Sequence, residues 1–187
     1  MANRYIYLVR HGQYDTKGPL HKLGGPLTRL GRRQAQRTAR CLAGLPIDAV
    51  YCSTQRRAAE TARIMCRHLP RARTWATSLL WEGQFTRVPG LKLPVDWIRE
   101  SRRRAGRIFP RVFRPAGRRD QHIVVVCHGN LIGHFVSRVL RAPMSTWYRV
   151  RPGHNCSICR CVVHKNGLIS LVSYNDCAHL PAAMRTG

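Results

Sequence analysis

The sequence predicts a three-layer α/β/α sandwich around a mostly parallel sheet, and three observations lead there. Short apolar runs rich in β-branched residues alternate with stretches of helical length, and two of those runs end in the same dipeptide, His-Gly. No apolar run approaches the length of a membrane span. With 187 residues, 44% of them hydrophobic, the chain can fill one core, and residues 1–187 read as a single domain.

Residues 5–9 combine aromatic and β-branched side chains and run straight into Arg10-His11-Gly12, so a buried strand ends in a loop. Thr28 is then a suitable N-cap for a helix through about Leu42, with Leu30, Ala35, Ala39 and Leu42 along one side and Gly44 as its stop. Residues 48–52 give a second strand, and residues 55–69 a second helix closed by Pro70. A third strand is expected at residues 77–80, followed by a stretch without a clear period. Residues 123–127, dominated by Val, form another buried strand that ends in His128-Gly129, and a helix follows from Asn130 to about Leu140. A hairpin closes the chain, pairing residues 157–164 with 168–173 around Lys165-Asn166-Gly167.

The composition excludes a disordered tail, and the eight cysteines, without a secretory signal, read as reduced thiols rather than a disulfide framework. His154, Cys156, Cys159 and Cys161 have the composition of a zinc ligand set. A strand there turns Cys159 and Cys161 to one face and Cys156 to the other, which favours core thiols. Residues 1–4 leave no room for a signal peptide ahead of Tyr5, so a soluble cytoplasmic protein with no membrane partner is expected. The charge is extreme, with 33 basic residues against 8 acidic ones, and only Lys17, Lys22, Lys92 and Lys165 among the basic residues are lysine. Preference for Arg over Lys does not explain the scarcity of acids. The field calls for a polyanionic partner or an unusual milieu.

Open parallel sheets bind ligands at the carboxyl edge, where both His-Gly pairs are delivered. If the two strands are neighbours, His11 and His128 face each other, Gly12 and Gly129 admit a bound group closely, and the helix after Gly129 offers amide donors to an anion. A lone histidine is more often a satisfied core residue, and His68, His134 and His179 are read that way.

Arg10-His11-Gly12-Gln13, Leu27-Thr28-x-x-Gly31-x-x-Gln34-Ala35, Ser53-x-x-x-Arg57-Ala58-x-Glu60-Thr61-Ala62, Glu82-Gly83 and His128-Gly129-Asn130 occur in this order. Together they resemble the histidine phosphatase superfamily, also called phosphoglycerate-mutase-like, over nearly the whole chain. Within it, Arg10 to Gln13, His68-Leu69-Pro70, Leu79-Leu80-x-Glu82-Gly83 and Asn155-x-Ser157-Ile158 are most similar to the mitochondrial phosphoglycerate-mutase-like serine/threonine phosphatases.

The resemblance implies a phosphomonoesterase without metal or other cofactor. His11 would attack phosphorus and form a phosphohistidine that water then hydrolyses. Arg10, Arg57 and His128 would complete the phosphate clamp, and Glu82 would protonate the leaving alkoxide. Gln13, Gly129 and Asn130 are further candidates for phosphate contact, with turn-shaping as the alternative for Gln13 and Asn130. Helical spacing would also let Glu60 pair with Arg57 or Arg56, Ser53 would start a loop, and Trp81 belongs to pocket wall or core.

Mutases of the family carry a longer insertion over the site, whereas residues 82–121 here are short, which ranks phosphatase above mutase. The membrane segment and assembly motif that precede the domain in the mitochondrial group have no counterpart in this sequence. Between Arg99 and Arg119 lie nine arginines, opposed by Glu100 and, just beyond, Asp120. They form either a solvated helix face or a docking surface for an acidic phosphoprotein, another polyanion or nucleic acid. A polyanion-binding protein on a phosphatase scaffold is the rival reading, and a homodimer stays open.

Overall fold

The computed structural model describes residues 2–17 and 24–187. Its six strands are β1 (Arg4–Arg10), β2 (Ile47–Ser53), β3 (Arg73–Thr77), β4 (Gln121–Cys127), β5 (Ile158–Val163) and β6 (Ile169–Asp176), ordered β3-β2-β4-β1-β5-β6 in one sheet. The β3, β2, β4 and β1 pairs are parallel, and only β5 runs against the rest. The helices are α1 (Arg29–Leu42), α2 (Arg56–Cys66), α3 (Val95–Val112) and α4 (Gly129–Val139).

Strand alternation divides the core into two layers. Tyr7, Val9, Val124 and Val126 pack with Ala39 and Leu42 of α1 and Ala58, Ala62 and Met65 of α2. Their neighbours Ile6, Leu8, Ile123 and Val125 point the other way, onto Ala105, Ile108 and Val112 of α3 and Leu131 and Phe135 of α4. Both faces of the central strands are therefore dry, which is why those runs read as continuously apolar.

Local chemistry sets the boundaries. The Thr28 hydroxyl accepts the Gly31 N–H at 3.0 Å and caps α1. The second helix ends earlier than expected, at Cys66, because residues up to Leu69 continue only as tight turns ahead of Pro70. The third strand was misplaced: residues 73–77 form β3, while Ser78–Leu80 is a 3-10 turn. β3 lies on the sheet edge with little burial, so it lacks the apolar run that marks the central strands. At the hairpin, Gly167 takes φ +82°, the left-handed conformation that an Asn-Gly turn supplies, and its N–H donates to His164 O.

All eight cysteines are free thiols. Cys159 and Cys161 lie in the α3–α4 layer and Cys156 in a separate cluster with Leu27, Ala35 and Leu180. Burial pushes the thiols of Cys52 and Cys159 up to about 11 and those of Cys156 and Cys161 up to about 12. After β6 the chain folds back, and Gln34 Nε2 donates to Met184 O at 2.7 Å and to Thr186 Oγ1 at 2.8 Å.

Candidate active site

β1 and β4 are neighbours with Arg10 opposite Cys127, so the next residue of each, His11 and His128, leaves the same edge. Their ring centroids are 5.2 Å apart. His11 Nδ1 lies 2.9 Å from Gly12 O, and because a carbonyl only accepts, Nδ1 carries the proton. Nε2 is thus the lone-pair nitrogen, and it receives Arg57 Nε–H at 3.0 Å. The backbone is held as well: Asn155 Nδ2 donates to His11 O at 3.0 Å and Gly12 N–H to Thr61 Oγ1 at 3.0 Å. Gly12 cannot be exchanged, since a Cβ there would lie 2.6 Å from Gly31 O.

His128 Nε2 is 2.9 Å from Ser53 Oγ, and its buried Nδ1 has no partner among the described residues. Both histidines are held well below the ordinary imidazole range. Burial is the main cause for each, followed by Arg57 for His11 and by His11 and then Arg57 for His128. Both rings are therefore neutral at pH 7, the state in which an imidazole nitrogen is nucleophilic.

The arginines are positioned by what surrounds them. Arg57 is buried, with its guanidinium 4.8 Å from the Tyr14 ring centroid. Glu60 does not neutralise it: one Glu60 oxygen pairs with Arg56 Nε at 2.9 Å, and the other accepts the Leu27 N–H at 3.0 Å. Arg10 donates to Pro152 O at 3.3 Å and to Gly153 O, while its buried Nε lacks a partner. The largest attraction offsetting desolvation at either guanidinium comes from Glu82.

Glu82 follows the 3-10 turn. Its N–H donates to Gln55 Oε1 at 3.0 Å, and its Oε1 accepts the Gly83 N–H at 3.2 Å. Burial pushes its carboxyl up to about 6, against the pull of Arg57, the Gly83 N–H, Arg10 and the Leu131 N–H in the first turn of α4. A carboxyl protonated near pH 6 can give up a proton close to neutrality.

Gln13 and Asn130 are committed to turns in this state. Gln13 Oε1 accepts from Thr28 Oγ1 at 2.7 Å, and Asn130 Nδ2 donates to Gly83 O at 3.1 Å, pinning the Glu82 loop. Gly129 opens α4, which has His128 as its N-cap and no side-chain cap hydrogen bond. Trp81 is 42% exposed and belongs to the rim, with its indole N–H on Thr54 Oγ1 and Arg104 over its ring. Sequence reasoning gave Ser53 only a loop and overlooked Tyr14, Thr61 and Asn155; Ser53, Thr61 and Asn155 stood inside the quoted motifs. Of the three histidines assigned to the core, His134 is buried and stacked on Phe85, and His179 bonds Thr38 and Cys156 O. Among the described residues, no group of three or more His, Cys, Asp or Glu is placed to hold a metal ion.

A six-stranded sheet flanked by helices on both faces, with two histidines at the ends of adjacent central strands, defines a protein of the phosphoglycerate-mutase-like fold. A solved phosphoglycerate mutase from Plasmodium falciparum superposes with a TM-score of 0.69 at 27% identity, covering 97% of this chain and 96% of that one. The sequence pattern described as Histidine phosphatase superfamily (branch 1) matches residues 6–97 and 81–177, and the chain belongs to that family. It is 35% identical over 189 residues to the mitochondrial serine/threonine-protein phosphatase Pgam5 of Caenorhabditis briggsae and 34% identical to PGAM5 of Homo sapiens. Each alignment covers 96% of this chain but 65% of the relative, so the chain spans about two thirds of those proteins.

One expectation needs correction here. A cytoplasmic location does not stand, because relatives 33–35% identical to this chain are named as mitochondrial, and the sequence ahead of Tyr5 was no guide to compartment. No helix among the described residues is long and apolar enough to cross a membrane.

Proposed function

We propose that this chain is a phosphomonoesterase that works through a phosphohistidine on Nε2 of His11. The observation that carries the reading is the ring's tautomer, with Nδ1–H spent on Gly12 O and the Nε2 lone pair facing Arg57. Nε2 attacks phosphorus as the ester oxygen leaves with a proton from Glu82, and water then attacks the phosphohistidine and returns a proton to the carboxylate. Arg10 and Arg57 meet the equatorial oxygens, and the unpaired Nδ1 of His128 faces the same charge. No step calls for a metal ion, and turnover is expected to survive chelators and to be blocked by vanadate.

The substrate class we favour is the phosphoprotein, as the relatives' names specify for them. The charge of α3 and the turn after it supports an acidic one: Asp96 and Glu100 engage Arg99, Arg103 and Arg104, but among the described residues exposed Arg107, Arg111 and, beyond the helix, Arg118 have no ion-pair partner. The likeness to a phosphoglycerate mutase supports a second reading, return of the phosphoryl group to a small acceptor. Single-turnover labelling with a radioactive phosphate ester decides. Acid-labile, alkali-stable label that is absent from His11→Ala and chases to inorganic phosphate supports the hydrolase, whereas chase into phosphoglycerate supports the mutase. Label retained by His11→Ala would sink the mechanism.

A further inference from the structure

The amino-terminal ends of β2, β3 and β4 border a cavity of about 1050 Å3, at the opposite end of the sheet from His11 and His128. Nothing in the proposed chemistry uses it. Its volume matches that of pockets that enclose a small organic ligand. Tyr51 and Trp75, partners in the β2–β3 register, form its aromatic wall, with ring centroids 5.2 Å apart and planes 17° from parallel. Trp75 is 43% exposed on a sheet edge, which leaves indole surface available to a further flat ring.

The charge around that wall is one-sided. Arg4, Arg71, Arg73, Arg114 and Arg119 line the cavity, against a single acid, Asp48. Asp48 is already spent, with one oxygen on Arg119 Nη2 at 2.6 Å and the other on the His122 N–H at 2.8 Å. Arg71, Arg73 and Arg114 have no hydrogen-bond or ion-pair partner for their side chains among the described residues. Arg4 is 3% exposed; its terminal nitrogens donate to Arg111 O, Val112 O and Gln121, but its buried Nε is unpartnered. Burial and repulsion from Arg114 both act against the Arg4 charge, and Tyr51 and Asp48 offset them only in part. Three unpaired guanidinium groups, beside a fourth that is only partly compensated, make the lining of this cavity suited to an anion.

We propose that this cavity is a second ligand site that takes a nucleoside di- or triphosphate, with the base on the open face of Trp75 and the phosphates on Arg71, Arg73 and Arg114. A bare polyphosphate would satisfy the arginines and leave the indole face idle, and a neutral aromatic would do the reverse. A nucleoside polyphosphate is flat at one end and polyanionic at the other, as the site is. The site is proposed to bind without reacting, because the one carboxylate in its lining, Asp48, is held on both oxygens by Arg119 and the His122 N–H. The inference is independent of the phosphohistidine mechanism.

Titration calorimetry of the full chain with ADP, pyrophosphate and adenosine tests the proposal. ADP should bind, Trp75→Ala should weaken it by about tenfold or more, and Trp75→Phe should restore most of the loss. Pyrophosphate binding should be insensitive to Trp75→Ala. The pair Arg73→Gln and Arg114→Gln should weaken ADP and pyrophosphate together, and it decides the question if Trp75→Ala fails to match the parent by circular dichroism. Arg57→Ala should leave ADP binding intact, and Trp75→Ala should leave aryl-phosphate turnover intact. No heat with millimolar ADP, ADP binding lost in Arg57→Ala but kept in Trp75→Ala, or equal weakening of ADP and pyrophosphate by Trp75→Ala would each overturn it.

Discussion

The sheet edge that holds His11 and His128 and the outer face of α3 use arginine in opposite ways. At the edge, Arg57 is buried and its Nε–H is fixed on His11, and Arg10 is tied to the carbonyls of Pro152 and Gly153. Along α3, Arg107 and Arg111 are exposed and have no ion-pair partner among the described residues, while Arg104 is turned inward toward Glu82 O and the Trp81 ring. A buried, tethered guanidinium acts through geometry, because its donors are aimed before a ligand arrives. An exposed one acts through its field, which salt screens within about 8 Å at physiological ionic strength. The same residue type is therefore held by fixed partners in one place and presented to solvent in the other, and the nine arginines between 99 and 119 do not share one environment.

The sharpest way to break that contrast is Arg57→Ala. It should lower kcat/KM by about a hundredfold or more on alkyl and aryl phosphates alike, because it removes a clamp donor and the group facing Nε2. A loss confined to large substrates would make Arg57 an encounter residue like those of α3. Glu82→Gln should cost about a hundredfold on alkyl phosphates and far less on aryl phosphates, whose leaving groups need little protonation. With Glu82 titrating near 6 and required as the acid, parent turnover of alkyl phosphates should fall as pH rises through about 6, and Glu82→Gln should flatten that limb. An unchanged pH profile in Glu82→Gln would move the acid elsewhere.

The α3 side of the contrast predicts a smaller effect. Replacing Arg107, Arg111 and Arg118 with Gln should lower kcat/KM for an acidic phosphopeptide a few-fold at low salt and reduce its salt slope, with turnover at saturation unchanged. Arg102 and Arg104 are poor choices for this test, since Arg102 holds Phe85 O and Arg104 underpins the Glu82 loop. The same salt slope in the triple variant would leave that face merely solvated. Smallest is the effect of Thr28→Ala, which removes the α1 cap and the hydroxyl bond to Gln13 and should lower unfolding stability by about 1 kcal/mol in chemical denaturation.

The parts of the molecule legible in the sequence are those where one physical demand dominates. β1 and β4 are dry on both faces and could be read from apolar runs, and the α1 cap from a single hydroxyl at the right place. The edge strand β3 has no dry face, and its Arg-Thr-Trp-Ala-Thr carries no alternation to detect. α3 was hidden differently: Ile98, Ala105, Ile108 and Val112 do recur at helical spacing on its buried side, but they stand among arginines that are soluble in any conformation. At the site, motifs located His11, Arg57, Glu82 and His128, whereas the supports Thr61 and Asn155 act through backbone contacts that span 49 and 144 residues of sequence. Such long-range partners leave no local signature.

The buried thiols make the fold its own reporter. Cys127 sits one residue before His128 with no exposed surface, Cys156 hydrogen-bonds its backbone N–H to the carbonyl of Arg10, and burial raises the thiol of each far above neutrality. Alkylation requires both thiolate and access, so at pH 7 these two sulfurs are shielded twice over while the protein is closed. A pulse of iodoacetamide should mark exposed Cys41 at once and reach Cys127 and Cys156 only as fast as the strand ends that carry the histidines come apart. Peptide mass mapping after such pulses would give a clock for opening at the catalytic edge, without a label engineered into the chain.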